Sequence, residues 1–311
     1  MSGTTNQRAI LIAGPTASGK SGLALRLAET LGGIVINADS MQVYRELRIL
    51  TARPSAEEEA RVPHALYGFA AGRAAYSAGR FVGDAARALR EARERGLRPI
   101  IVGGTGLYFK ALLEGLSPMP EIPEEVRAHW RGEAVKAAPG ALHATLSSRD
   151  PETAARLAPG DTQRLVRALE VLDVSGVSLS VWQRRPREPV LDASQTVRLV
   201  LAPERAVQCR QIDARFEAMM AAGALDEVRE LGALGLDPAL PIMRAHGVPP
   251  LLAHLAGRLS REAAIAMAQA ETRQYAKRQL TWARSNMISW RKIPTKEMET
   301  EDADFVSFID H

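Results

Sequence analysis

Residues Gly14 to Ser21 read G-P-T-A-S-G-K-S, which has the residue types and the spacing of a phosphate-binding loop. In such a loop, successive backbone N–H groups surround an anion at the N-terminus of a helix. The Lys20 ammonium reaches the outer phosphate, and the Ser21 hydroxyl is suited to coordinate Mg²⁺. The motif therefore predicts a phosphate site made by Gly14, Pro15, Thr16, Ala17, Ser18, Gly19, Lys20 and Ser21. It does not indicate which molecule carries the phosphate.

A carboxylate follows the second apolar run of the chain, in the stretch A-D-S-M-Q-V-Y that begins at Ala38. In an open parallel sheet, the C-terminal ends of the strands face the ligand crevice. We therefore expect Asp39 to lie beside the phosphate loop. There the carboxylate would bind Mg²⁺ or accept a proton from an acceptor group. The alternative is structural, a helix cap formed by Asp39 or Ser40.

A glycine-rich stretch, V-G-G-T-G-L-Y, follows the next apolar run and begins at Val102. Its glycines allow a close backbone approach, and Thr105 offers a hydroxyl at the same end of the sheet. A simple tight turn would explain the glycines equally well. The stretch is informative because a parallel sheet would bring it to the same edge as Asp39 and the phosphate loop.

The elements that must position these residues alternate along the chain. AILIA, IVIN, RPIIVGG and TVRLVL have the apolar, β-branched character of buried strands, while SGLALRLAETLG and RFVGDAARALREARERG have helical periodicity. Strands that alternate with helices predict an α/β fold, with a parallel sheet flanked by helices.

The β pattern is absent between residues 118 and 194. Pro118, Pro120 and Pro123 predict a stiff connection, and two helical patterns follow before a strand returns at Thr196. We therefore predict a helical domain at 118–194. It is inserted into a core formed by residues 1–117 and 195–311, of which the last part is mainly helical.

The composition excludes several classes of protein. The single cysteine, Cys209, excludes an intramolecular disulfide framework, and the histidines lack zinc-ligand spacing. No apolar run reaches membrane-spanning length, and the N-terminus lacks the apolar core of a signal peptide, so we expect a cytoplasmic protein. A net charge of +4, with arginine dominating the basic residues, is compatible with nucleic-acid binding but does not require it.

Several motifs together resemble the tRNA dimethylallyltransferases, also called tRNA isopentenyltransferases. The motifs GPTASGKS, ADSMQVY, TARP, AYSAGRF, PIIVGGTGLY, QRLVRALEV and TRQYAKRQLTW occur in the order found in that family. The matches run from about residue 8 to residue 290, and the chain resembles a bacterial member. The resemblance implies a P-loop NTPase-like core with an inserted helical domain.

The resemblance also implies a reaction. The loop would hold the diphosphate of dimethylallyl diphosphate, with Mg²⁺ at Ser21. The acceptor would be the exocyclic N6 amine of the adenosine immediately 3′ of the tRNA anticodon. By alignment, Asp39 would be the base, Thr105 would orient the amine, and Lys20 and Arg215 would stabilise the departing diphosphate. No membrane and no obligate protein partner are implied.

The tRNA contacts are likewise carried over from the family. The residues implied are Asp39, Ser40, Met41, Gln42, Thr105, Arg127, Gln163, Arg164, Leu165, Val166, Arg167, Arg273 and Lys277. Arg164 and Arg167 lie three residues apart, so they form a basic edge on one predicted helix. Arg273 and Lys277 lie four residues apart and share one face of another predicted helix. Such stripes are otherwise typical of solvated helix faces. The resemblance favours contact with the phosphate backbone.

Two stretches depart from the family pattern. Leu50 stands where a glycine is common in G-T-A-K-P, and Arg53 replaces the lysine. The stretch M-R-A-H-G-V-P-P, which begins at Met243, stands where an isoleucine- or valine-glycine-tyrosine pattern is frequent. Neither departure touches the proposed chemistry.

Three other functions are compatible with parts of this pattern. A small-molecule kinase would use the loop for ATP and Asp39 as a metal ligand or as a base towards a hydroxyl. An isopentenyltransferase acting on free AMP or ADP would lack a full tRNA-binding surface. A non-catalytic RNA adaptor would have no reason to place Asp39 and Thr105 together.

Overall fold

The computed structural model describes residues 8–294. The chain divides into two compact units. The first consists of the chain up to Leu113 and from Val190 onward, and the second is Glu114–Pro189. No helix among residues 8–294 is long and apolar enough to cross a membrane.

The first unit is built on a six-stranded sheet in the order β3-β2-β4-β1-β5-β6. All neighbouring strands are parallel, as the sequence predicts. The strands are β1 (Ala9–Ala13), β2 (Gly33–Asn37), β3 (His64–Ala65), β4 (Arg98–Gly103), β5 (Thr196–Leu201) and β6 (Arg291–Ile293). The two edge strands β3 and β6 were not predicted, because each is very short and carries polar residues.

The helices of the first unit fall into an N-terminal and a C-terminal group. The N-terminal group comprises α1 (Lys20–Leu31), α2 (Ala56–Arg61), α3 (Ala78–Glu94) and α4 (Gly106–Glu114). The second unit contains α5 (Glu124–Lys136), α6 (Ala141–Arg149), α7 (Pro151–Ala154), α8 (Thr162–Ser175) and α9 (Leu179–Gln183). The C-terminal group comprises α10 (Arg205–Ala221), α11 (Ala224–Ala233), α12 (Val248–Leu255) and α13 (Arg261–Asn286). Short 3-10 helices lie at Ala193–Gln195 and Pro241–Arg244.

The sheet is buried on both faces, which explains its continuous apolar strands. Leu11 and Ile101 point to one face, where they join a cluster with Phe81 of α3 and Phe109 of α4. Ile10 and Ile12 point to the opposite face and pack against the apolar residues of α1. Alternate side chains of each strand therefore secure both helical layers.

The C-terminal helices form a further apolar cluster with the segment after β2. Tyr44 is fully buried in this cluster together with residues of α10 to α13, including Phe216, Val228 and Leu251. The continuous helical pattern of residues 211–235 is divided into α10 and α11 at Gly223, whose φ is 103°. A left-handed residue ends one helix and redirects the chain into the next.

The second unit has a core of its own. Trp130 of α5, Leu146 of α6, and Leu165 and Leu169 of α8 are buried together. The Trp130 indole N–H donates a hydrogen bond of 2.6 Å to Asp173 Oδ2, which satisfies the polar end of the buried ring. The unit therefore has the core that an inserted helical domain requires.

Strand order determines which loops meet at the C-terminal edge of the sheet. β4 lies between β1 and β2, so the loops after these three strands are neighbours. These loops carry the phosphate motif, Asp39 and Thr105.

Candidate active site

The phosphate loop has the backbone geometry that exposes successive N–H groups to an anion. Ala17 and Gly19 are left-handed, with φ of 56° and 81°, and α1 begins directly afterwards at Lys20. A left-handed conformation is rare for alanine, and such residues in a turn direct neighbouring amides into one concavity. The helix N-terminus adds a favourable dipole. The loop therefore has a backbone geometry that suits an anion.

Lys20 lies within this anion site. Its Nζ donates a hydrogen bond of 3.1 Å to the Pro15 carbonyl. Burial lowers the pKa of Lys20 to about 8; the negative charge of Asp39 opposes this shift, and the positive charge of Arg215 adds to it. A bound diphosphate would supply a negatively charged partner for this ammonium.

Asp39 is fixed through its own backbone by Asn37, the last residue of β2. The buried Asn37 side chain accepts a 2.8 Å hydrogen bond from the Asp39 N–H and donates to the Asp39 carbonyl at 3.0 Å. Asp39 Oδ1 accepts from the Met41 N–H at 3.0 Å, which closes a local turn; no helix begins at Asp39 or Ser40, so neither residue is the helix cap that the sequence allowed. The other carboxylate oxygen, Oδ2, faces Gly104, at 3.4 Å from where a Cβ on that residue would lie.

Several ionisable groups surround the Asp39 carboxylate. Burial raises the pKa of Tyr275, and the Asp39 charge raises it further. Burial lowers the pKa of Arg215 and that of His246, and in both cases Asp39 acts in the opposite direction. Asp39 is therefore the common electrostatic partner of the groups around this site.

Thr105 lies next to Asp39, as the parallel sheet requires. Its hydroxyl accepts a hydrogen bond of 3.0 Å from the Ser40 N–H and donates one of 3.3 Å to Ser40 Oγ. Tyr275 of α13 lines one cavity with Asp39 and another with Thr105. The loops after β2 and β4 are thus tied together at the residues predicted to contact the acceptor.

Arg215 reaches the phosphate loop from α10. Its Nη2 lies 3.5 Å from Thr16 Oγ1, and Gln208 of the same helix donates a 3.0 Å hydrogen bond to the Thr16 carbonyl. The guanidinium is half-buried. It is therefore positioned to face an anion held by the loop.

Two cavities adjoin these residues. One, of about 200 Å³, is lined by Asp39, Arg215 and His246 and by apolar side chains that include Phe216. The other, of about 240 Å³, is mainly apolar and lies between the glycine loop after β4 and α13. Tyr275 borders both cavities.

The glycines of the V-G-G-T-G stretch are required by close packing. A Cβ on Gly103 would lie 2.1 Å from the Ala38 carbonyl oxygen, and one on Gly104 would lie 2.2 Å from Gln279 Nε2. A Cβ on Gly106 would lie 2.2 Å from the Trp282 ring. Close approach by neighbouring groups, rather than the turn alone, explains these residues.

Sequence reasoning missed Tyr275, Gln279, Gln208 and His246. Tyr275 and Gln279 lie within the motif TRQYAKRQLTW, which was quoted only for its resemblance and its basic residues. His246 lies in the stretch that departs from the family pattern, and its ring packs against Tyr275 with centroids 4.6 Å apart. The motif TRQYAKRQLTW was the sequence signal for Tyr275 and Gln279, but helical periodicity alone does not show which of its residues face the site.

The two departures from the family pattern have structural roles. The Leu50 side chain lines the cavity beside Asp39, and its Cδ1 would be 3.0 Å from a Cβ on Gly247. Arg53 donates hydrogen bonds to the Tyr44 and Arg45 carbonyls at 3.0 and 3.3 Å. Arg53 thus holds the segment after Asp39 instead of extending towards solvent.

The remaining predicted tRNA contacts of the first unit are partly accessible. Ser40, Met41 and Gln42 are half-buried, and Gln42 Nε2 donates to the Thr51 and Ala52 carbonyls at 2.9 Å each. On α13, Lys277 is exposed, whereas Arg273 forms an ion pair with Asp213 of α10.

The predicted contacts of the second unit divide by burial. Gln163 and Arg164 are exposed on α8, and Arg167 is half-buried. Leu165 and Val166 are instead buried in the core of the unit, so their side chains are not available to an RNA. On α5, the half-buried Arg127 donates a 3.1 Å hydrogen bond to the Ile122 carbonyl.

The residues present suit a metal that arrives with its ligand. Within residues 8–294 no cluster of His, Cys, Asp or Glu forms a metal cage. Mg²⁺ commonly binds through substrate phosphates, water and one or two protein oxygens, and Ser21 offers a hydroxyl on the first turn of α1. The buried Ser18 hydroxyl has no hydrogen-bond partner among the described residues, which marks this loop as a site completed by a ligand.

Family models match nearly the whole described chain. A model described as IPP transferase matches residues 42–286, and one described as isopentenyl transferase matches residues 7–64. The proteins named tRNA dimethylallyltransferase from Parvibaculum lavamentivorans and Methylocella silvestris are 54% and 58% identical to this chain. The alignments cover 97% and 94% of the chain and 96% of each relative.

Solved structures agree with these matches. A tRNA isopentenylpyrophosphate transferase from Bacillus halodurans has a TM-score of 0.69 at 32% identity, over 97% of this chain and 95% of that one. A eukaryotic dimethylallyltransferase acting on tRNA has a TM-score of 0.80 at 26% identity, over 97% of this chain and 78% of that one. The fold, the phosphate loop and the matched sequences agree, and the chain belongs to the tRNA dimethylallyltransferase family.

Proposed function

We propose that the protein transfers a dimethylallyl group from dimethylallyl diphosphate to tRNA. The acceptor is the N6 amine of the adenosine immediately 3′ of the anticodon, and diphosphate is released. The observation that carries this proposal is the position of the Asp39 carboxylate and the Thr105 hydroxyl, side by side at the sheet edge that also bears the phosphate loop. The proposed function needs an anion site for the donor and a base for the acceptor.

The acceptor amine needs a base because its lone pair is conjugated with the adenine ring. Asp39 Oδ1 is engaged by the Met41 N–H, so Oδ2 is the oxygen that accepts the amine proton. Thr105 orients the amine. As the N6–carbon bond forms, the bond between the allylic carbon and the diphosphate oxygen breaks, and the N6 proton passes to Asp39.

The leaving diphosphate carries the charge that develops in the transition state. The N–H groups of the phosphate loop, Lys20 and Arg215 stabilise it in a partly buried site, where such interactions are stronger than in water. The Thr16 N–H is not one of these donors, because it donates to Gln279 Oε1 at 2.9 Å. When bound through Ser21 and the diphosphate, Mg²⁺ would neutralise further negative charge on the leaving group.

Basic and polar side chains would contact the tRNA. Arg127, Gln163, Arg164 and Arg167 of the second unit, and Arg273 and Lys277 of α13, would contact its phosphates and the anticodon loop. The adenosine is stacked in that loop, so it must leave the stack before N6 can reach a pocket at the sheet edge.

A kinase is disfavoured by the relatives, which are named as dimethylallyltransferases. An enzyme acting on free AMP is disfavoured by the relatives, whose names specify tRNA.

A two-acceptor assay tests the proposal. The protein and Mg²⁺ are incubated with dimethylallyl diphosphate and either an anticodon stem–loop RNA or AMP, and the products are weighed by mass spectrometry. We expect a gain of one dimethylallyl group on the RNA alone. A gain on AMP, or on neither acceptor with a protein that binds the donor, would contradict the proposal.

A further inference from the structure

The side-chain amide of Gln279, in the middle of α13, joins two loops that come from different strands. Its Oε1 accepts a 2.9 Å hydrogen bond from the Thr16 N–H, in the phosphate loop after β1. Its Nε2 donates a 2.9 Å hydrogen bond to the Gly104 carbonyl, in the loop after β4. One planar group thus satisfies a backbone donor in one loop and a backbone acceptor in the other.

This link extends the pairing of β1 and β4 beyond the end of the sheet. The ladder ends at Ala13 and Gly103, followed by a weaker 3.3 Å contact from the Gly14 N–H to the Gly103 carbonyl. Past that point the loops diverge, and Gln279 bridges them.

The surroundings of Gln279 are built to hold its amide in one orientation. A Cβ on Gly104 would overlap Nε2, so that residue must be glycine for the amide to approach the loop. Tyr275, one turn before Gln279 on α13, lines the apolar cavity together with Gln279 and Thr105. Since the amide oxygen faces an N–H and the amide nitrogen faces a carbonyl, glutamate or methionine cannot reproduce both contacts.

We infer that Gln279 is a positioning residue that fixes the phosphate loop relative to the Thr105 loop. On the proposed function, on which this inference rests, one loop carries the leaving diphosphate and the other orients the amine. Gln279 touches neither reacting group. It sets the separation between them, and misplacement by about 1 Å costs on the order of 10²-fold in rate.

The test compares Gln279→Met with Gln269→Met in the full-length protein. Gln269 is a matched control, because it lies on the same helix and donates to a backbone carbonyl, that of Asp213, at 3.2 Å. For each variant we would measure the single-turnover rate at saturating donor and RNA, and the Kd of each substrate separately. For Gln279→Met we expect a rate lowered by about 10- to 100-fold, with both Kd values within about threefold of wild type. The control should keep the wild-type rate.

The inference is overturned if the Gln279→Met rate matches the control, or if higher donor concentration restores it. The second result would make Gln279 a binding contact. If the methionine variant does not fold, Gln279→Glu gives the same decision, because it keeps the acceptor for Thr16 but lacks the donor for Gly104.

Hydrogen exchange gives a readout that does not depend on activity. The Thr16 amide should exchange faster in Gln279→Met than in wild type and should be unchanged in Gln269→Met. Unchanged protection in Gln279→Met would overturn the inference. Wild-type protein that shows the protected amide but modifies no RNA would contradict the proposed function alone.

Discussion

At the residue scale, hydrogen bonds fix both the backbone of Asp39 and one of its carboxylate oxygens. Asn37 holds the Asp39 backbone on both its N–H and carbonyl sides, and the Met41 N–H holds Oδ1. One carboxylate oxygen is therefore structural and the other faces the Gly104–Thr105 loop. The Asp39 side chain caps no helix: its Oδ1 closes a local turn, which leaves Oδ2 for the proposed catalytic role.

Asp39→Asn should separate binding from chemistry. Asparagine keeps an oxygen for the Met41 N–H but is not a useful base, so turnover should fall by about 10²-fold or more while RNA affinity stays nearly unchanged. Single-turnover kinetics and a binding titration measure the two effects. The control is Asp192→Asn, because Asp192 is exposed and its Oδ1 likewise accepts a hydrogen bond from a backbone N–H, that of Ser194. Full turnover in Asp39→Asn would show that the base is another group.

Lys20 should make donor binding sensitive to alkaline pH. Its pKa is lowered to about 8 without ligand, so the ammonium is present below that pH and is lost above it. Binding the diphosphate then requires proton uptake, and donor affinity should fall as pH rises from 8 towards 10. Calorimetric titration of wild type and Lys20→Met measures this, with a weaker and flatter profile expected for the variant. An affinity independent of pH in wild type would contradict the assignment.

At the element scale, the sheet, its loops and the helical character of the C-terminal part are predictable, but the contacts that α13 makes with the site are not. Apolar runs and glycine signals identify β1, β2, β4 and β5 and the loops after them, because these are local properties. The contact between Thr16 and Gln279 spans 263 residues of sequence, and no local pattern reports such a contact. Leu165 and Val166 lie within the motif QRLVRALEV, but α8 places their side chains in the core of the second unit.

The packing of α13 against the glycine loop gives a stability prediction. In Gly106→Ala the new Cβ would overlap the Trp282 ring, so α4 or α13 must shift, at a cost of about 1–3 kcal/mol. Gly83→Ala is the control, because Gly83 is exposed within α3 and its Cβ position is open. That change should instead raise the free energy of unfolding by about 0.5–1 kcal/mol. Denaturant melts that show equal stability for both variants would contradict the packing described.

At the scale of the whole molecule, three of the arginines predicted to contact tRNA form ion pairs with acidic side chains. Arg164 pairs with Asp161 at 3.2 Å, Arg167 pairs with Glu170 at 3.5 Å, and Arg273 pairs with Asp213. The exposed Arg164–Asp161 pair contributes little to stability, so Arg164 is the arginine for which exchange of its acidic partner for an RNA phosphate costs least. Glu170 is buried, so loss of its pairing with Arg167 would cost more.

Salt should discriminate between the two substrates. Contact with several tRNA phosphates releases counterions, so RNA affinity should fall by more than about tenfold between about 50 and 200 mM salt. The donor binds in a partly buried loop, where screening is weaker, and its affinity should change much less. Parallel titrations of both ligands measure the slopes. Equal slopes would contradict an extended basic tRNA surface.

The most direct test of the central claim uses two anticodon stem–loops that differ in one functional group. One carries adenosine immediately 3′ of the anticodon, and the other carries purine riboside, which lacks only the 6-amino group. Each is incubated with the protein, Mg²⁺ and dimethylallyl diphosphate, and the digested products are weighed by mass spectrometry. We expect one dimethylallyl group at that adenosine and no transfer to the purine-substituted RNA. Transfer to the substituted RNA, or modification at another nucleotide of the first, would contradict the proposed function.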